Sequence, residues 1–121
     1  YNYPNLTVYA DSTEEEIYNF IKALDESFNF YKDINAVMHK WRLDLASGTP
    51  AEIPIHKGVI KYLKEKKLWS QEDEEWNNAR LKRLNLLKDT WNNFIQENSK
   101  LDDKAFKIEW LKERESVLAK N

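Results

Sequence analysis

The 121-residue chain has no cysteine, only two glycines and three prolines, no excess of positive charge and no long apolar run. Without cysteine there is no disulfide framework and no thiolate metal site, and the redox compartment is left open. Lysine and arginine number 19 against 21 acidic residues, a net charge of −2. That balance lacks the basic footprint of a nucleic-acid binder and any strong net pull toward anionic lipid. No apolar stretch approaches the roughly 18 to 20 residues that cross a bilayer, so direct membrane insertion is not expected. The opening YNYPNLTVYA has neither the basic nor the hydrophobic region of a signal peptide. It begins at Tyr1 rather than Met, which suits a processed protein or an excised segment. Every glycine and proline lies at or before Gly58, so the second half has no strong helix breaker.

The residues present argue for a folded chain. Hydrophobic residues make up 41%, charged residues 33% and aromatics 13%, including five tryptophans, far from the aromatic-poor composition of disordered chains. The length suits one core. Leu6 to Ala10 (LTVYA) is short and β-prone and reads as a strand, with no obvious partner strand in the chain. Ser12-x-x-Glu15 reads as a capping box, and Ile17, Phe20, Ile21, Leu24 and Phe28 recur at helical spacing behind it. Ile34, Val37, Met38, Trp41 and Leu45 predict a second amphipathic helix over about residues 31 to 46, ended by Ser47-Gly48 and Pro50. After a loop from Ala46 to Ile55, Val59, Ile60 and Leu63 mark a short third helix starting at about His56. Ser70-x-x-Asp73 caps a fourth, whose face of Trp76, Leu84, Leu87, Trp91, Phe94 and Ile95 runs about seven turns to Asn98. Ser99 and Asp102 restart a final helix carrying Phe106, Trp110, Val117 and Leu118. The expected class is mainly α: about five amphipathic helices with one short N-terminal strand.

Chemistry is sparse. His39 and His56 are 17 residues apart, and neither has a second ligand at i+3 or i+4, so no metal site is expected. After Pro54, His56 can hydrogen-bond the orphan backbone groups of a helix start. The acidic runs Glu14-Glu15-Glu16 and Glu72-Asp73-Glu74-Glu75 offer paired carboxylates, but both occupy first turns, where the helix dipole favours negative charge. There is no Gly-rich phosphate loop, no Gly-x-Ser-x-Gly elbow and no His-Glu-x-x-His, so no catalytic residue is assigned and no cofactor is expected. Trp41, Trp76, Trp91 and Trp110 fall on apolar helix faces and read as core, while Tyr1, Tyr3 and Tyr9 lie outside the periodic pattern. The terminal helix mixes Lys104, Lys107, Lys112 and Arg114 with acids, a pattern that usually meets water.

At PIHKGVIKYLKEKKLW the residues Pro54, His56, Gly58, Tyr62 and Glu65 follow, in order, a Pro-x-His-x-Gly-Ala-x-x-Tyr-x-x-Glu run. That run resembles the one near the C-terminus of the TAXI-type solute receptors of tripartite ATP-independent periplasmic (TRAP) transporters. Val59 replaces the alanine, and Lys57 stands where many members have proline. TVYADSTEEEIYNFIKAL is similar to the family's strand, acidic turn and following helix through Tyr18, Lys22, Ala23 and Leu24. LWSQEDEEWNNARLKRLNLLKDTW resembles the tail of one subgroup through Trp69, Glu72 and Asn77. The likeness covers about residues 3 to 97 and not the helix after Ser99.

The resemblance implies a parent that is a bilobal α/β periplasmic binding protein of roughly 300 residues. Residues 1–98 would be a C-terminal segment of that receptor and 99–121 an additional helix, with Leu6 to Ala10 joining a sheet of the intact fold. The implied function is capture of a small solute in a periplasmic or otherwise extracytoplasmic location, for delivery to the membrane permease subunits. The five motif residues are carried over as structural; the resemblance places no ligand-contacting residue on this chain. A stand-alone helical interaction module, using the long and terminal helices as an apolar groove, is the alternative.

Overall fold

In a computed structural model, residues 6–46 and 48–120 of the protein are described. They are mainly helical: six α-helices and one 3-10 turn, with no strand among the described residues. The chain divides after Asn77 into two compact units, 1–77 and 78–121. Tyr1, Tyr3 and Ser47 lie outside the described residues.

The expected strand at Leu6 to Ala10 is corrected to an irregular segment that leads into a turn closed by Ser12 N–H donating to the Tyr9 carbonyl at 3.2 Å. A strand needs a ladder partner, and a helical unit offers none. Leu6, Val8 and Tyr9 are 52%, 39% and 83% exposed.

Helix α1 spans Glu14–Glu26. Its capping box is Thr13 with Glu16, one residue on from the expected Ser12 and Glu15: Glu16 N–H donates to Thr13 Oγ1 at 3.2 Å, and Thr13 N–H donates to Glu16 Oε2 at 3.1 Å. Both pairs fit the pattern in sequence, but the Ser12 carbonyl faces His56 and only Thr13 is free to cap. Ile17 is buried on the face expected of it, and Ile21, Leu24 and Phe28 are half-buried, whereas Phe20 is exposed.

The single helix expected over 31 to 46 is not formed: the short α2 (Phe28–Tyr31) stops where it was to begin, and only a 3-10 turn (Met38–Trp41) and α3 (Leu43–Ala46) follow. Two side chains account for the breaks. Asn35 Oδ1 accepts from Val37 N–H at 2.9 Å, a local bond that competes with helix. Arg42 turns to extended backbone (φ −57°, ψ 133°) and grips Asp44 with two guanidinium bonds of 2.5 and 2.7 Å. Tyr31 ties this segment back to α1 by donating to the Leu24 carbonyl at 3.1 Å, and its ring meets Trp41 edge-on.

Helix α4 spans Lys57–Glu65 and packs on α1. Tyr62 and Leu63 are fully buried with Leu43, and Tyr18, Ile21, Val59 and Trp69 close around them. The helix ends in two nested backbone bonds, Lys67 N–H to Lys64 O and Leu68 N–H to Leu63 O, with Lys67 in the left-handed region at φ 60°. This is the Schellman arrangement that usually takes glycine.

Helix α5 spans Gln71–Glu97, capped as expected by Ser70 and Asp73 exchanging side-chain-to-backbone bonds of 2.9 and 3.1 Å. Helix α6 spans Asp103–Ala119, with Asp102 accepting from Lys104 and Ala105 N–H at 3.0 Å. In the second unit Trp91 and Phe94 of α5 meet Phe106 and Trp110 of α6, with ring centroids 4.7 to 5.7 Å apart. The core reading of the four helical tryptophans is corrected: Trp41, Trp76 and Trp110 are half-buried and Trp91 is 38% exposed. An indole is too wide to be sealed by one or two helices.

Candidate functional site

The residues singled out in the sequence converge on the crossing of α1 and α4. The rigid, extended Pro54-Ile55 lead delivers His56 to the N-cap position at φ −70°, ψ 143°. His56 Nδ1 accepts from Gly58 N–H at 3.1 Å, and Nε2 lies 3.2 Å from the Ser12 carbonyl. An imidazole that accepts at Nδ1 carries its proton on Nε2, and that proton meets Ser12. Both nitrogens are therefore occupied, one satisfying an orphan N–H of α4 and the other tying the turn before α1 to the start of α4.

Gly58 makes this crossing possible. A methyl group there would stand 2.5 Å from the Glu14 carbonyl oxygen, 2.8 Å from Tyr18 N and 2.9 Å from Ile17 Cβ. Two of those three atoms are backbone and cannot swing aside. A glycine inside a helix costs up to about 1 kcal/mol in propensity, which this close approach offsets.

One turn further on, the fully buried Tyr62 ring sits edge-on to Tyr18 at 5.6 Å and donates its hydroxyl to Asp25 Oδ2 at 2.8 Å. Lys66 stands 3.5 Å from the same carboxylate and over the Tyr62 ring. Burial, reinforced by the bond to Asp25, holds the Tyr62 hydroxyl above its ordinary pKa. Glu65 accepts from the Tyr18 hydroxyl at 2.6 Å, and Lys61 pairs with Glu14 at 3.0 Å. The Lys61 ammonium, by hydrogen bond and by charge, lowers the Glu14 pKa.

A second fastener involves the buried Asn77, whose side-chain oxygen accepts from Ile55 N–H at 2.7 Å and whose amide donates to the Ile55 carbonyl at 3.3 Å. Asn77 thereby fixes the backbone that presents His56. Asp73 accepts from the Thr49 hydroxyl as well as from Ser70, and these bonds, Thr49 first, hold its carboxyl down at about 2. Trp69 Nε1 donates to Glu74, which also pairs with Lys64.

The five motif residues thus lie in one place, together with Tyr18 and Asn77 of the flanking stretches. Lys22 pairs loosely with Glu26 at 3.9 Å, and Glu72 is exposed. His39 is apart from the group, exposed and 3.3 Å from Asp33. Sequence reasoning missed the partners Asp25 and Thr49. Asp25 lies 37 residues from Tyr62 and Thr49 lies 24 from Asp73, and nothing local marks either pairing. No group of three or more His, Cys, Asp or Glu is gathered to hold a metal ion among the described residues. What the arrangement does is mechanical: it locks the angle and register of two helices through polar contacts at both ends of α4.

The chain matches no protein-family model, no curated protein and no solved structure.

Proposed function

We propose that the chain is the C-terminal portion of an extracytoplasmic solute-binding receptor of the TAXI type, whose complete bilobal α/β fold captures a small anionic or zwitterionic solute and presents it to the permease of a TRAP transporter. The chain itself catalyses nothing; its part is to close and brace one lobe. The observation that carries this reading is the uncovered apolar edge at Leu6, Val8 and Tyr9. It lies beside a shallow groove that Ile17 and Phe20 of α1 also line. A bare apolar segment of this kind is a surface that a neighbouring part of a larger fold would cover. The braced helix pair next to it supports the same reading, since the run Pro54, His56, Gly58, Tyr62 and Glu65 acts as one clasp.

The test is thermal denaturation of the product of the entire reading frame that contains this chain, against a panel of small carboxylates and amino acids. One of them raises the melting temperature in a concentration-dependent way, while the isolated chain responds to none, because half a cleft cannot enclose a ligand. A reading frame with no receptor region ahead of Tyr1, or solute binding by the isolated chain at micromolar concentration, removes the proposal.

A further inference from the structure

Histidine is the side chain whose hydrogen-bonding role reverses when it takes up a proton between about pH 5 and 8. The clasp between α1 and α4 depends on one. The His56 ring is half-buried, so solvent reaches it. In the neutral form Nδ1 accepts from Gly58 N–H at 3.1 Å, and the proton on Nε2 meets the Ser12 carbonyl at 3.2 Å. An imidazolium has two N–H groups and no acceptor. Nε2 keeps its bond, but Nδ1–H is turned against Gly58 N–H, donor on donor, at a buried residue pressed against the α1 backbone. The backbone on either side is held in place. The His56 carbonyl receives the first helical bonds, from Val59 and Ile60 N–H at 2.9 and 3.1 Å, and the buried Asn77 holds Ile55 at both its N–H and its carbonyl. Relief therefore falls to the ring. When it swings out of the cap it leaves Ser12 as well as Gly58.

We infer that His56 is an acid-sensitive latch, whose protonation uncaps α4 and frees the turn that leads into α1. The charges around it pull both ways. Glu14 of α1 is the acid whose carboxyl feels His56, and it favours the imidazolium; it is already paired with Lys61 at 3.0 Å, and Lys61 first, then Lys57 and His56, hold it below its ordinary pKa. Lys57 and Lys61 on α4, with the amide dipoles at the helix start, oppose the imidazolium. In the turn and first residues of α1, Glu16 is bonded to Thr13, while Asp11 and Glu15 are exposed, as is Glu52 in the loop before α4. From α5 the uncharged Asn77 reaches the lead, and the acids beside it are engaged elsewhere, Asp73 with Thr49 and Ser70 and Glu74 with Lys64 and Trp69. With the charges opposed, reversal of the Nδ1 bond sets the direction. The unfolded chain takes the proton freely and the latched form excludes it, so stability is complete above the imidazole range and falls as pH drops through it. The inference rests on the contacts of His56 and is independent of the receptor reading.

The experiment is urea unfolding of the full chain at intervals from about pH 8 to about pH 5.5, a window in which histidine is the side chain that titrates. The folded-to-unfolded ratio of the parent falls towards acid, by up to about tenfold per pH unit, the limit for one proton. His56→Asn keeps a capping acceptor that does not titrate, and its ratio holds level across the window. The other histidine, His39, lies 3.3 Å from Asp33 and gains an ion pair on protonation, the opposite sign, so His39→Gln retains the fall. A second measurement uses the parent alone: the Gly58 amide, one of two glycine amides in the chain, loses protection from hydrogen exchange by about tenfold or more as the His56 ring resonances titrate. An equal fall in the parent and in His56→Asn, or loss of the fall in His39→Gln, overturns the inference. So does a Gly58 amide that stays protected once the His56 ring is protonated.

Discussion

The two units solve the same problem, holding one helix against another, in different ways. In the first, α1 and α4 are joined by directional contacts that each admit few substitutes: an imidazole bonded at both nitrogens, a glycine with no room for a methyl group, and a buried phenol on a carboxylate. In the second, α5 and α6 meet through four aromatic rings, of which only that of Phe94 belongs to a buried residue. Ring edges and faces pack acceptably over a range of distances and tilts, so such a contact fixes proximity more than register.

Substitutions can test this contrast. The largest effect is expected from Gly58→Ala, which drives a methyl group into the α1 backbone and costs about 3 kcal/mol, at the upper end for overpacking; urea unfolding monitored by tryptophan fluorescence reads it. If Gly58→Ala were neutral, the close helix crossing would not exist in solution. Tyr62→Phe leaves the ring in place but removes the donor to Asp25, at about 2 kcal/mol for a buried bond to a charged group. The parent, unlike the variant, also loses stability as alkali takes pH up through the raised Tyr62 pKa, since only the neutral hydroxyl donates to Asp25.

Asp73→Asn costs about 1 kcal/mol at neutral pH, the size of a lost helix cap. The sign with pH follows from its depressed carboxyl. That stabilisation is complete above the ordinary value of 3.8 and is lost as pH falls through about 2, so acid denaturation curves of parent and variant converge there. Lys67→Gly relieves a left-handed residue at φ 60° and raises stability by up to about 1 kcal/mol, seen as a higher melting temperature. The smallest change is expected from Trp91→Phe in the hairpin, under about 1 kcal/mol, because a smaller ring still finds Phe106 and Trp110. A loss as large as that of Tyr62→Phe would erase the contrast between the units.

Much of the helical framework was legible in the sequence. The Ser70 and Asp102 caps, the His56 start and the 27-residue run of α5 all follow from residues within a turn of one another. The errors arose where two local readings were equally good. Ser12 and Thr13 each offer a capping box, and the choice fell to the contact between His56 and the Ser12 carbonyl, 44 residues away in sequence. The stretch from 31 to 46 has helical spacing, yet the turn-forming bonds of Asn35 and Arg42 outweigh it. LTVYA is β-prone, but a strand is a property of a pair, and the described residues supply no second member.

By itself the sequence determined where α4, α5 and α6 begin and which residues cap them, because those outcomes depend on neighbours three or four positions apart. Only the tertiary structure decided that Gly58 touches α1, that Asp25 receives Tyr62, and that Thr49 donates to Asp73. Each of these depends on which helix lies alongside and at what rotation, and no local spacing encodes that.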